Sequence, residues 1–251
     1  MAERFYCPTV TGERAVLEGS EAHHLIHVMR AAAGDHVIVF DGQGHEYLCK
    51  VEKISRRDAT LKVLERRTVE RELPFSLTVA APLPKGDRQR VLLEKLTELG
   101  VTRFVPLVTE RTVVRPEKDV VARLTRIVIE ASKQCGRNRL MMVAEPESWS
   151  SFLEAVDPTA AKYLAHPVES GERERLEAFQ KGTLLADKKQ ESVPIVIAVG
   201  PEGGFTDAEV EAARTRGWHL LDLGPRILRV ETAAIALAAL FGTSHQVTRW
   251  A

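Results

Sequence analysis

The hydrophobic rhythm of this chain changes at Pro74, and that change limits the folds open to it. Before Pro74 the signals are those of β structure. His36-Val-Ile-Val-Phe40 is an apolar run, Asp41-Gly-Gln-Gly44 carries turn residues, Glu46–Ile54 alternates polar with apolar, and Thr60–Leu64 repeats the strand pattern. One short helix is expected there, capped by Ser20 and holding Leu25 and Val28 on one face. The charged stretch Glu65-Arg-Arg-Thr-Val-Glu-Arg-Glu72 reads as a linker. After Pro74, strands expected at Leu77–Ala81, Phe104–Val108, Met141–Ala144, Lys162–Ala165, Ile195–Val199 and Leu220–Leu223 are interleaved with helices. Leu92, Leu96 and Leu99 mark one helix face, Val120–Gln134 a second helix, and Thr206-Asp-Ala-Glu209 a capping box opening a third. The pattern predicts a β-rich domain over residues 1–72 and an α/β domain with a mostly parallel sheet over 73–251. The last helix, Thr232–Thr243, is apolar nearly all round, which predicts burial and fits a subunit interface.

Composition adds exclusions. The longest apolar stretch lies within Ala233–Phe241, far short of the roughly 20 residues that span a bilayer. The N-terminus has an acid at Glu3 and no apolar segment, so no secretory signal is expected. Three cysteines, Cys7, Cys49 and Cys135, are odd in number and form no C-x-x-C, arguing against a disulfide framework or zinc site and for a reducing cytoplasm. The formal net charge is +0, but it is unevenly spread. Residues 1–72 hold 11 Lys+Arg and 12 Asp+Glu, whereas residues 85–139 hold 13 and 7. Local excess, not the total, decides whether a surface attracts nucleic acid.

Two segments carry the chemistry. In Val196-Ile-Ala-Val-Gly-Pro-Glu-Gly-Gly-Phe-Thr-Asp-Ala-Glu209 a strand runs into a glycine loop and then a capped helix. Glycines let the backbone approach a ligand, and loops at strand C-terminal ends are where open α/β sheets bind one. The spacing fits neither G-x-G-x-x-G nor a P-loop. In Asp222-Leu-Gly-Pro-Arg-Ile-Leu-Arg-Val-Glu-Thr-Ala233 a second glycine turn precedes Arg226, Arg229 and Glu231, a set suited to a polar or anionic ligand. On spacing alone, both read equally as tight turns with exposed charges.

With "HHLIHVMR" at residues 23–30 and "TELGV" at 97–101, the phrases "GPEGGF" and "LGPRILRVETA" make the chain resemble the bacterial small-subunit (16S) ribosomal RNA uridine-N3 methyltransferases of the SPOUT superfamily. The motifs span about residues 20 to 245; the stretch from about 145 to 190 matches poorly apart from Leu164-Ala-His-Pro167. The resemblance implies a PUA-like β-barrel, an α/β methyltransferase domain with a trefoil knot, and a homodimer through that domain. It implies S-adenosylmethionine held by Leu164, Ala165 and His166, by Gly200, Pro201, Glu202 and Gly203, and by Leu223, Gly224, Ile227 and Leu228 with Thr232 and Ala233.

Its implied partner is small-subunit rRNA or the assembled subunit, contacted by His23, His24 and Arg30 and by Lys85, Arg88, Gln134 and Arg137 in motif-like segments. Arg90 and Arg139 flank those segments, and Arg123 and Arg126 read as solvated. Methylating N3 requires loss of its proton and stabilisation of charge on O2 and O4. Arg229 suits the second task, Glu202 or Glu231 the first, and no metal or membrane is called for. His23, His24 and His27 could hold a metal only with a further ligand that the nearby sequence does not supply. A non-catalytic ribosome-assembly factor and a tRNA methyltransferase of the same superfamily are the alternatives.

Overall fold

A computed structural model describes residues 3–167 and 193–244 of the chain. It forms two compact units: Met1–Glu72 with Ile129–Leu140, and Leu73–Val128 with Met141–Ala251.

The first unit is built on β1 (Arg4–Tyr6), β2 (Val10–Thr11), β3 (Arg14–Glu18), β4 (His36–Phe40), β5 (His45–Ile54) and β6 (Asp58–Thr68). They form one sheet in the order β1-β4-β5-β6-β3-β2, antiparallel except where β1 meets β4. Alternation decides which face is covered: on β3, Ala15 and Leu17 are buried while Arg14, Val16 and Glu18 are exposed. Two register shifts between β5 and β6 bend these long strands, and the sheet curls in the PUA-like manner. The expected linker is shorter than the charge pattern suggests. Glu65–Thr68 continue β6 and pair with β5 along one edge.

Ser20 is not the cap of the short helix. α1 (Gly19–His23) starts two residues earlier than a Ser20 cap would place it, with Glu18 at the N-cap position and no side-chain capping bond. It runs on as a π-turn over His24–Val28, and Arg30 beyond it adopts a left-handed backbone (φ 55°). Residues 129–140 belong with this unit through an ionic seam. Arg4 Nη2 donates to Asn138 Oδ1 at 2.5 Å and its Nη1 to Glu46 Oε2 beside it, Lys133 Nζ donates to Glu21 Oε1 at 3.1 Å, and Arg71 Nη1 to the Gly136 carbonyl at 2.8 Å. Arg137 closes on Glu72 through both Nε and Nη2.

The second unit contains β7 (Leu77–Ala81), β8 (Arg103–Val108), β9 (Met142–Val143), β10 (Glu147–Ser148), β11 (Ala161–Ala165), β12 (Ile195–Val199) and β13 (His219–Leu221). All pair in parallel, in the order β10-β8-β7-β12-β11-β13, with β9 also on β8. β12 is buried at every position, as a strand covered on both faces must be. The helices are α2 (Arg88–Glu98), α3 (Val120–Cys135, whose last turns belong to the first unit), α4 (Trp149–Ala155), α5 (Asp207–Arg214) and α6 (Val230–Ser244). The expected capping box is present: Thr206 and Glu209 exchange bonds at the start of α5. α6 starts before the expected Thr232 and buries Ala234, Leu237, Ala238 and Phe241 completely. A Cβ at Gly242 would lie 2.6 Å from the Leu99 carbonyl, so α6 passes the end of α2 at a distance only glycine allows.

Candidate active site

β12, β11 and β13 lie side by side and run the same way, so the loops at their carboxyl ends open together. Those loops enclose a cavity of about 620 Å³, within the usual range for a small-molecule site. Ala165, His166, Gly200, Pro201, Glu202, Gly203, Leu223, Gly224, Ile227, Leu228 and Ala233 line it. Two residues expected beside them do not: Leu164 is fully buried within β11, and Thr232 is exposed on α6.

The first glycine loop is held tightly. A Cβ at Gly200 would come 2.9 Å from the Phe205 ring, so the chain turns over that ring only because the position is bare. Arg111, from the loop after β8, donates to the Gly203 carbonyl at 2.7 Å, and Glu110 N donates to Glu209 Oε1 at 2.9 Å. Arg111, Phe205, Asp207 and Asp222 also line the cavity, although sequence reasoning did not select them. Asp222 Oδ1 accepts from Gly224 N at 2.7 Å, an Asx turn that the order Asp-Leu-Gly could have signalled. No local pattern points to Arg111. Burial, reinforced by the charge of Arg214 and opposed by that of Asp207, lowers the pKa of His166 from its ordinary 6.5.

The charged residues are arranged differently from their order in the chain. Glu231, 7% exposed, lies in the first turn of α6 and accepts from Arg88 Nη1 at 3.4 Å, not from its near neighbour Arg229. The same nitrogen is 3.8 Å from Glu202 Oε1. Arg88, expected on an RNA-binding surface, therefore faces two carboxylates, Glu202 from the first glycine loop and Glu231 from the first turn of α6. Arg229 is exposed just beyond the cavity-lining Leu228.

The remaining nucleic-acid candidates separate into two groups. His23, Arg30, Lys85 and Gln134 are exposed and His24 is half-buried against Phe5. Arg137 is only 4% exposed and locked onto Glu72, so the expectation that it grips a nucleotide gives way to a structural role. Much of the positive excess of residues 85–139 is likewise engaged: Arg90 meets Glu94, Lys95 meets Glu98 and Arg103 meets Glu147.

Comparison with known proteins places this arrangement. Residues 71–242 match the family described as RNA methyltransferase domain, and residues 17–64 that described as RNA methyltransferase PUA domain. Ribosomal RNA small subunit methyltransferase E of Bacillus subtilis is 34% identical over 92% of this chain and 89% of its own length. That of Synechocystis is 37% identical over 89% of this chain and 71% of its own. The crystal structure of a ribosomal RNA small subunit methyltransferase E from Neisseria gonorrhoeae, bound to S-adenosyl methionine, superposes with a TM-score of 0.82 at 30% identity, covering 97% of this chain and 98% of that one. The cavity, the paired glycine loops and these matches lead to one conclusion: the chain belongs to the RNA methyltransferase family of the small-subunit methyltransferase E proteins.

Proposed function

We propose that this protein transfers a methyl group from S-adenosylmethionine to N3 of a uridine in small-subunit ribosomal RNA. One observation carries the reading: in a chain of this family, three loops at the carboxyl ends of β11, β12 and β13 enclose one cavity of about 620 Å³. Its residues fit the donor. Gly200 and Gly203 bring bare backbone to the wall, Glu202, Asp207 and Asp222 place acidic groups around a cationic sulfonium, and His166, with its lowered pKa, adds little opposing charge. When bound, S-adenosylmethionine supplies an activated methyl group whose carbon–sulfur bonding pair stays with sulfur.

The protein's own tasks are to admit an unpaired or flipped uracil, accept its N3 proton and stabilise the charge that spreads to O2 and O4. Arg229, exposed beside the cavity, is assigned the last task. His23, His24, Arg30, Lys85 and Gln134 are assigned contacts with the RNA, so binding should weaken steeply with salt. The reading includes work in the cytoplasm, a knotted methyltransferase domain and a homodimer through it. On α6 the outward positions Thr232, Ala236 and Thr243 are small enough for a partner helix to approach.

The test is incubation of the purified protein with methyl-labelled donor and three separate pools: small-subunit RNA, assembled small subunits and tRNA, all from cells lacking the protein. Label at N3 of one uridine in either small-subunit pool supports the reading. Label in tRNA favours the sister activity, and absence of donor binding by calorimetry favours a non-catalytic assembly factor.

A further inference from the structure

Glu202 and Glu231 stand within reach of the same arginine nitrogen, yet their surroundings give them different work. Glu231 is buried, sits in the first turn of α6, and has both oxygens within 3.5 Å of Arg88 Nη1. It lies off the cavity wall. Glu202 is on that wall, its side chain is 51% exposed, and its contact with Arg88, at 3.8 Å, is longer than a hydrogen bond. A proton acceptor must reach the proton it removes and must have a lone pair free to receive it. Glu202 meets both conditions; Glu231, buried and off the cavity wall, fails the first.

We infer that Glu202 is the catalytic proton acceptor and that Arg88 and Glu231 form a strut positioning it. The inference rests on the uridine-N3 methyltransferase reading above. The Glu202 carboxylate takes the N3 proton while the nitrogen's electron pair forms the new bond to the methyl carbon. The carbon–sulfur pair remains on sulfur, so the positive sulfonium and the negative carboxylate leave as a neutral thioether and a neutral acid. Glu202 then returns its proton to water. Arg88, half-exposed at the start of α2, joins the first glycine loop to the start of α6. Its contacts are with the two glutamates, which makes it a positioning residue.

Three variants of the full chain test this. Glu202→Gln should bind S-adenosylmethionine within about threefold of wild type and melt at the same temperature. Its single-turnover rate should fall by about 100-fold or more, within the range that general-base catalysis supplies. The deficit should shrink as pH rises, because hydroxide replaces the missing base. Glu231→Gln should keep its rate within about tenfold but melt lower. Arg88→Lys, which keeps a cation on Glu231, should retain more activity than Arg88→Ala. A Glu202→Gln enzyme with over a third of the wild-type rate overturns the assignment, as does a Glu231→Gln enzyme showing the larger, pH-rescued loss. Should Glu202→Gln fail to fold, Glu202→Ala removes the base instead, and a rate above a third of wild type there also overturns it. A wild-type protein that labels no RNA refutes the functional reading itself, before any variant is compared.

Discussion

Two arginine–glutamate contacts, one in each unit, use the same side chains to opposite ends. In the first unit Arg137 and Glu72 have side chains only 5% and 11% exposed, and the fork closes on both carboxylate oxygens. In the second unit Arg88 is 30% exposed and touches Glu231 through one nitrogen at 3.4 Å, with Glu202 beyond at 3.8 Å. A buried, bidentate pair fixes geometry and has little freedom to respond to a ligand. A loose contact at a cavity can be rearranged when something binds. Both arginines follow a motif-like glycine segment, so burial and partner, not residue type, separate the structural cation from the functional one.

The sharpest way to break this contrast is to remove each cation. Arg137→Ala should destabilise the protein by about 3–5 kcal/mol, because Glu72 is left buried without its partner. Arg88→Ala also leaves a buried carboxylate, Glu231, without its partner, but breaks a longer contact through one nitrogen of an arginine that is 30% exposed, and should cost less, about 1–3 kcal/mol. Denaturant unfolding of both variants measures the difference. Equal losses would end the distinction. An Arg137→Ala protein of unchanged stability but weakened RNA affinity would restore the nucleotide-gripping role first expected for it.

Arg229 tests the open side alone. Arg229→Ala should lower kcat by about 100- to 1000-fold, the cost of deleting one group aimed at developing charge, with unfolding unchanged. Single-turnover methylation with a matched melting curve checks it. Full turnover by the folded variant would move the electrostatic task to another cation, Arg111 and Arg226 being the arginines on the cavity wall.

Local chemistry explains which of these features could be read in advance. The glycine loops, the Thr206–Glu209 capping box and the buried run Ile195–Val199 depend on residues within a few positions of one another, and each stands where its pattern indicates. Arg88 and Glu231 are 143 residues apart and Arg137 and Glu72 are 65 apart, so spacing cannot announce either contact. Arg229 lies two residues from Glu231, but the fold brings Arg88 at the start of α2 to Glu231 at the start of α6 instead. α4 escaped for a different reason: its seven residues are too few for helical periodicity to register, although Ser148 caps it by accepting from Ser151 N. Arg111 reaches the cavity only because the loop after β8 meets the loop after β12, although β7 separates the two strands in the sheet.

The ionic seam of the first unit also makes that unit acid-sensitive, and this is the smallest effect expected. Burial pushes the Glu46 carboxyl up. Hydrogen bonds from Arg4 and Asn138, with the charges of Arg4 and Arg71, outweigh burial and hold it below its ordinary 4.5. Asp41 behaves alike: burial raises it, but backbone bonds from Gln43 and His45 and the His45 side chain bring it below 3.8. A carboxyl lowered in the folded state binds protons more readily when unfolded, so its contribution is present above the ordinary value and is lost as pH falls through the folded one. Stability should therefore decline from about pH 5 downward. Glu46→Gln keeps the shape of the acceptor but cannot titrate, so it should lower stability at neutral pH and flatten the acid limb. Urea midpoints measured between about pH 6 and pH 3 give that slope. An unchanged slope in Glu46→Gln would place the acid-sensitive charge outside the seam, and the contrast would then rest on burial alone.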